Sequence, residues 1–295
     1  HVTGVQTCAL PICSGPDLMA RLVGQRLTEA WGQQVIVDAR VGATGRIAAE
    51  HVARSAADGY TLMMVTSQFA IGSALYDKLT YDPIRDFAPV ALMASTPFVL
   101  VVHPSVPAKS VNELVALARA RPGQLQGGTS GAGSPAGLAL QRLKSMTGVS
   151  ISDIPFKTIV QAYTDTAAGQ IHLTFTVVPA VLPAVRSGRL RGLAVTSLKR
   201  TPLAPELPTI ADTLPGYEVI GWYGLVAPAR APAEIVVKLN MEIGKVMRSA
   251  EVQERLVSLG ADLVAPATPT ELGSYLAAQI EQSRQLIKAS GAVPD

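Results

Sequence analysis

Apolar positions along this chain alternate between two rhythms. Behind Asp17, whose charge suits a helical first turn, Leu18, Leu22 and Leu27 fall at helical spacing, and residues 17 to 30 predict a helix with those leucines on its inner face. Val35–Val37 then reads as a strand, Ile47–Arg54 as a helix and Tyr60–Val65 as a strand, with Asp58-Gly59 as the turn between the last two. Such alternation predicts an α/β fold, a sheet with helical crossovers. The longest uncharged stretch, Phe87–Val102, is interrupted by Pro89 and Pro97 and is short for a membrane-spanning helix, so it predicts two buried strands.

Further on, Ser110-Val111-Asn112-Glu113 is a capping box for a helix that Pro122-Gly123 closes. Ser134-Pro135 opens the next helix, with Leu138, Leu143 and Met146 inward and Gly148 as its stop. Strands are expected at Ile151–Phe156, Ile171–Val178 and Leu190–Val195. Pro232 starts a helix carrying Ile235, Leu239, Ile243 and Val246, and Thr268-Pro269-Thr270-Glu271 caps a last one with Leu272, Leu276 and Ile280 inward. The Pro-flanked apolar strands Phe98–Val102 and Tyr223–Ala227 suit two crossings between lobes. On that reading residues 14–102 plus 223–295 form one lobe and 103–222 the other.

A length of 295 residues fits two such domains, and 48% hydrophobic with 16% charged residues describes well-buried globular protein. The net charge of +3 comes from 25 basic and 22 acidic residues scattered without any Lys/Arg run, which argues against nucleic acid as a partner. Both cysteines, Cys8 and Cys13, lie at the start, a spacing that permits a small disulfide loop. Residues 2–12, however, resemble one translated reading frame of a sequencing-library adaptor. Residues 1–13 are therefore expected to be adaptor-derived and are set aside from fold reasoning, with Cys13 as the junction codon. The lack of a signal segment then says nothing about export.

The segment richest in chemistry is Gly127-Gly128-Thr129-Ser130-Gly131-Ala132-Gly133-Ser134, just ahead of a helix. Glycines let backbone approach a ligand, hydroxyls donate hydrogen bonds and the open N–H groups of a helix start favour an anion. Thr129, Ser130, Gly131, Gly133 and Ser134 thus form a candidate carboxylate cradle; the plainer reading is a Gly/Ser loop with Ser134 as helix cap. Gly131-x-Gly133-x-x-Ala136, with Asp153 about twenty residues on, also copies a dinucleotide fingerprint, although Leu125-Gln126-Gly127-Gly128 makes an unconvincing strand before it. Ser14-Gly15-Pro16-Asp17 repeats the theme at an earlier helix start, where Asp17 suits capping. Gly42-Ala43-Thr44-Gly45 and Thr66-Ser67-Gln68 are further polar loops after strands, with Ser67 and Gln68 as candidate ligand contacts. No nucleophile elbow or zinc motif is present, and His1, His51, His103 and His172 show no ligand spacing. No catalytic residue, metal or cofactor is expected.

Several segments, taken in order, resemble the Bug or TctC receptors of tripartite tricarboxylate transporters. They are Asp17-Leu18-Met19-Ala20-Arg21, Asp58-Gly59-Tyr60-Thr61-Leu62, Tyr81-Asp82-Pro83-Ile84-Arg85-Asp86-Phe87-Ala88-Pro89-Val90, Val106-Pro107-Ala108-Lys109-Ser110-Val111, Ser130-Gly131-Ala132-Gly133-Ser134, Leu193-Ala194-Val195-Thr196-Ser197 and Trp222-Tyr223-Gly224-Leu225-Val226-Ala227-Pro228. The resemblance runs from about Ser14 to Gly291. It implies a two-lobed periplasmic binding protein fold of type II-like form, with a two-strand hinge and a ligand cleft between lobes that close over a small carboxylate. It further implies a periplasmic monomer that delivers its ligand to integral membrane transporter subunits, with loops around Thr158 and Thr176 joining the first strand-helix loop and the Ser-Gly loop in lining the cleft. Three departures mark this chain. The family's first strand and Pro-Gly-Gly turn are replaced by the adaptor-like residues, Thr158 stands where Gly is usual, and Thr176-Val177 stand where Asp-Asn is usual. The alternative is an α/β enzyme holding a phosphate or nucleotide at the Gly131 loop, which would need a base or nucleophile beside it. A regulator's effector lobe would need a helix-turn-helix segment, and the chain offers none.

Overall fold

The computed structural model describes residues 5–8, 15–40, 45–76, 78–131, 133–258, 260–263 and 267–290. Ser14, Cys13 and the Gly42-Ala43-Thr44 part of the second loop lie outside them. The chain divides into two compact units, residues 1–95 with 222–284 and residues 96–221 with 285–295.

In the first unit, β1 (Val5–Cys8), β2 (Ile36–Ala39) and β3 (Thr61–Thr66) run parallel in the order β2-β1-β3. Parallel neighbours need crossovers, supplied by α1 (Gly15–Trp31) and α2 (Arg46–Ala53). Residues 5–8 were set aside from fold reasoning, yet they form the strand between β2 and β3. After β3 comes α3 (Ser67–Leu75), and β9 (Ile220–Pro228) pairs antiparallel with β3, Tyr223 opposite Thr66. The helices α8 (Ala233–Met247), α9 (Ala250–Ser258) and α10 (Pro269–Ser290) complete the unit, with the short strand β10 (Asp262–Leu263) paired to β4 (Phe87–Val102). A box formed by Thr268 and Glu271 caps α10: the Glu271 N–H donates to Thr268 Oγ1 and the Thr268 N–H to Glu271 Oε2, leaving Leu272, Leu276 and Ile280 buried as expected.

The 87–102 stretch is one strand of sixteen residues rather than two. Pro97 is tolerated because it falls between ladders: pairing with β10 involves Ala94 and Ser95, and pairing with β7 (Leu173–Val177) begins at Phe98. Past Pro97, Leu100 and Val102 enter one core of the second unit and Val99 and Val101 the other, which explains the unbroken apolar run.

The second unit's sheet has the order β6-β5-β7-β4, with β5 (Gln126–Thr129), β6 (Ser152–Pro155) and β7 parallel, and with β4 antiparallel to β7 and to β8 (Arg191–Val195). β5 corrects the sequence reading, in which Gly127-Gly128 argued against a strand. The glycines answer crowding instead. A Cβ on Gly128 would lie 2.4 Å from Ile171 Cδ1 and 2.9 Å from Ala162 Cβ, and one on Gly127 would lie 3.0 Å from Leu140 Cδ2. Side-chain-free strand residues let α5 (Pro135–Thr147) and α6 (Ile159–Ala167) close on opposite faces of the sheet. The helices α4 (Val111–Ala120) and α7 (Val178–Arg186) cover the rest, and the buried Tyr217 donates its hydroxyl to Ala139 O at 2.8 Å. Burial pushes that phenol up from its ordinary range, against a smaller lowering from Arg142.

Two packing expectations also shift. In α1 the buried stripe is Met19, Ala20, Val23 and Leu27, while Leu18 and Leu22 are half-buried at its margin. On α5, Leu138 and Leu143 point inward but Met146, two residues before the Gly148 stop, is 40% exposed.

Candidate functional site

Each unit carries three strands with a common direction, so three strand ends and three following helix starts gather at one edge of each sheet. Open α/β sheets bind ligands at such carboxyl edges, where N–H groups and helix dipoles converge.

In the second unit the edge is formed by Thr129, Pro155 and Val177, followed by α5, α6 and α7. Ser134 is the N-cap of α5, accepting from the Gly137 N–H at 3.0 Å and donating its one hydroxyl hydrogen to Gly131 O at 2.6 Å. Thr129 is wholly buried; its hydroxyl donates to Asp153 Oδ1 at 2.8 Å and accepts from the Gly131 N–H at 3.2 Å. Both candidates therefore spend their hydrogens within the protein and shape the loop. Gly131, at φ 94°, takes the left-handed turn that this shape requires.

Ser130 differs from its neighbours. It is half-buried, and its hydroxyl has no hydrogen-bond partner among the described residues. The parallel register sets Gly128 opposite Thr174; Ser130 follows directly on the end of β5 at Thr129, and Thr176, near the end of β7, lies on the same face of its strand as Thr174. Thr176 is 2% exposed, and its hydroxyl likewise has no partner among the described residues. Thr158 caps α6 by accepting from the Gln161 N–H at 3.3 Å, with the exposed Lys157 just before it, while α7 starts behind an apolar N-cap, Val177. Thr96 escaped the sequence reading. On β4 beyond the Phe98–Val177 pair, it is 4% exposed and its Oγ1 has no partner among the described residues. The signal was the Ser95-Thr96 interruption of an otherwise apolar run.

In the first unit, Gly15, Pro16 and Asp17 form the first turn of α1. Asp17 is buried and its Oδ2 accepts from Arg21 Nε at 3.0 Å, which ties it to its own helix. Ser67 and Gln68 are not a loop: they are the first residues of α3, half-buried, behind Thr66, whose side chain accepts from the Gln68 N–H at 3.2 Å. That cap was missed because a strand running straight into a helix leaves no loop to notice.

The fingerprint reading gains the strand it lacked, since β5 does precede the loop. Its acid, however, is engaged: Asp153 receives Thr129 rather than facing open space. The comparisons with known proteins decide between the readings. An adipate-bound R. palustris protein, Rpa4515, is 36% identical and superposes with a TM-score of 0.82, covering 99% of this chain and 98% of its own. MatC from Rhodopseudomonas palustris, solved with malate, is 28% identical at a TM-score of 0.77, covering 97% and 98%. The periplasmic binding protein BugD is 27% identical at a TM-score of 0.78, covering 99% and 98%. The profile of the TctC family, the tripartite tricarboxylate transporter receptors, matches residues 19–292. These are transporter binding proteins and not enzymes, and the fold is that of the α/β periplasmic binding proteins. The chain belongs to the TctC family of tripartite tricarboxylate transporter receptors.

Proposed function

We propose that this receptor binds a small carboxylate at the carboxyl edge of the second unit's sheet and delivers it, as a periplasmic monomer, to the membrane subunits of a tripartite transporter. The observation that carries the reading is the Ser130 hydroxyl, without a hydrogen-bond partner among the described residues, at an edge where three strand ends and three helix starts converge. Ser130 donates to the carboxylate, Thr158 and Thr176 add hydroxyls, and the first-turn N–H groups of α6 and α7 supply dipoles suited to an anion. Thr129, Gly131, Gly133 and Ser134 hold the loop in shape. In the first unit Gly15, Pro16, Asp17, Ser67 and Gln68 mark the corresponding edge, with the Ser67 and Gln68 side chains as its ligand-binding groups. Ser14 belongs with them by sequence and lies outside the described residues. The adipate and malate of the two relatives are both dicarboxylates, which supports the ligand class.

A hydrogen bond to a charged group contributes roughly 1.5–3 kcal/mol, so Ser130→Ala should weaken the best-bound acid by about ten-fold or more while leaving the thermal midpoint unchanged. Calorimetric titration checks this. Unchanged affinity would remove the loop from the site.

A further inference from the structure

Asp153 stands about twenty residues beyond the Gly131 loop, where a dinucleotide-binding protein would place the acid that holds a ribose. The structure gives it other work. Asp153 lies on β6 opposite Gly127 of β5, and its Oδ1 accepts the Thr129 hydroxyl at 2.8 Å. The same hydroxyl oxygen accepts the Gly131 N–H at 3.2 Å. A threonine hydroxyl has one hydrogen, so an acceptor that takes it also fixes where the lone pairs point. With the hydrogen committed to Asp153 Oδ1, a lone pair of Thr129 is held toward Gly131.

The Gly131 peptide groups are held from both sides. Thr129 takes the N–H, while the carbonyl oxygen receives the Ser134 hydroxyl at 2.6 Å and the Ser134 N–H at 3.0 Å. Packing does little here, because a Cβ built on Gly131 meets nothing within 4 Å. The hydrogen bonds are the restraint, and Ser130 is the residue between the two that they connect.

We propose that Asp153 is a positioning residue for ligand binding: through Thr129 it sets the Gly131 peptide and so aims the Ser130 hydroxyl at the carboxylate. This rests on the reading of the loop as the carboxylate site. Strand alternation puts Asp153, Gly127 and Thr129 on the face toward α5, and Gly128 and Thr176 on the face toward α6. The sheet thus separates the acid from the Thr176 hydroxyl, and Asp153 acts on the loop through Thr129.

The test uses Asp153→Ala, Asp153→Asn, Thr129→Val and the double variant of Asp153→Ala with Thr129→Val. Two readouts are taken: amide exchange at Gly131 without ligand, and affinity for the best-bound of succinate, glutarate, adipate and malate. Asp153→Ala should speed Gly131 exchange by about ten-fold and weaken binding by about ten-fold. Asp153→Asn keeps an acceptor oxygen in place and should restore both, which loss of packing at the site would not predict. The double variant should bind no more weakly than Thr129→Val alone, since both changes break one relay. Unchanged exchange in Asp153→Ala would overturn the relay, and faster exchange with unchanged affinity would overturn its role in binding. If the parent protein binds none of the four acids, the carboxylate reading fails and this proposal with it; if the parent binds and Asp153→Ala binds equally well, this proposal alone fails.

Discussion

Gly128→Ala is expected to destabilise the second unit by about 3 kcal/mol, at the upper end of the usual range for overpacking a core. The added methyl would sit 2.4 Å from Ile171 Cδ1, 2.9 Å from Ala162 Cβ and 3.2 Å from Phe156 Cε2. The isoleucine end can rotate away. The Ala162 methyl cannot, because it is fixed to the backbone of α6, so the helix itself must lift from the sheet. Gly127→Ala is the control: its contacts, Leu140 and Leu173, are flexible side-chain ends at 3.0 to 3.3 Å, and its cost should be smaller. Denaturant unfolding of both variants checks the order. Equal midpoints for Gly128→Ala and the parent would mean that α6 is not seated on β5 as described. Since α6 also carries the Thr158 cap, a lifted helix should weaken ligand binding as well.

The second large effect concerns ligand charge. Aspartate and glutamate should bind about a hundred-fold more weakly than succinate and glutarate, because a buried ammonium without a carboxylate partner is strongly disfavoured. Around the proposed site, Thr176 offers a neutral hydroxyl and no charge. The acid that the described strand ends and loops of this edge do carry, Asp153, is bonded to Thr129 on the other face of the sheet. Paired titrations of each amino acid against its amine-free counterpart separate the outcomes. Equal or tighter binding of the amino acids would show that an acidic group reaches the ligand, and would sink the assignment of Thr176.

What the sequence revealed of the fold follows from which interactions are local. Caps and stops are local chemistry, and the helices starting at Ser110, Ser134 and Thr268 were legible from them, as was the Gly148 stop at φ 68°. β5 was not legible, since its residues are chosen by the approach of Ala162, Ile171 and Leu140 from elsewhere in the chain. The unity of β4 was hidden for a similar reason: proline's missing donor matters only where a partner strand asks for it. At the candidate site, the Gly/Ser loop and its helix start could be read directly. Its division of labour could not, because the bonds that spend the hydrogens of Thr129 and Ser134 depend on Asp153 and on the turn at Gly131. The pairing of β5 with β7, which sets Gly128 beside Thr174, belongs to strand register, which no local pattern encodes.

An amide chemical-shift map of the protein with and without saturating adipate tests the central claim most directly. The account predicts that the largest changes fall at Ser130, Gly131, Ile159, Thr176 and Val178, the loop and helix starts of one sheet edge. Binding of adipate with no change at any of these residues, and with the perturbed amides confined to other parts of the chain, would contradict it.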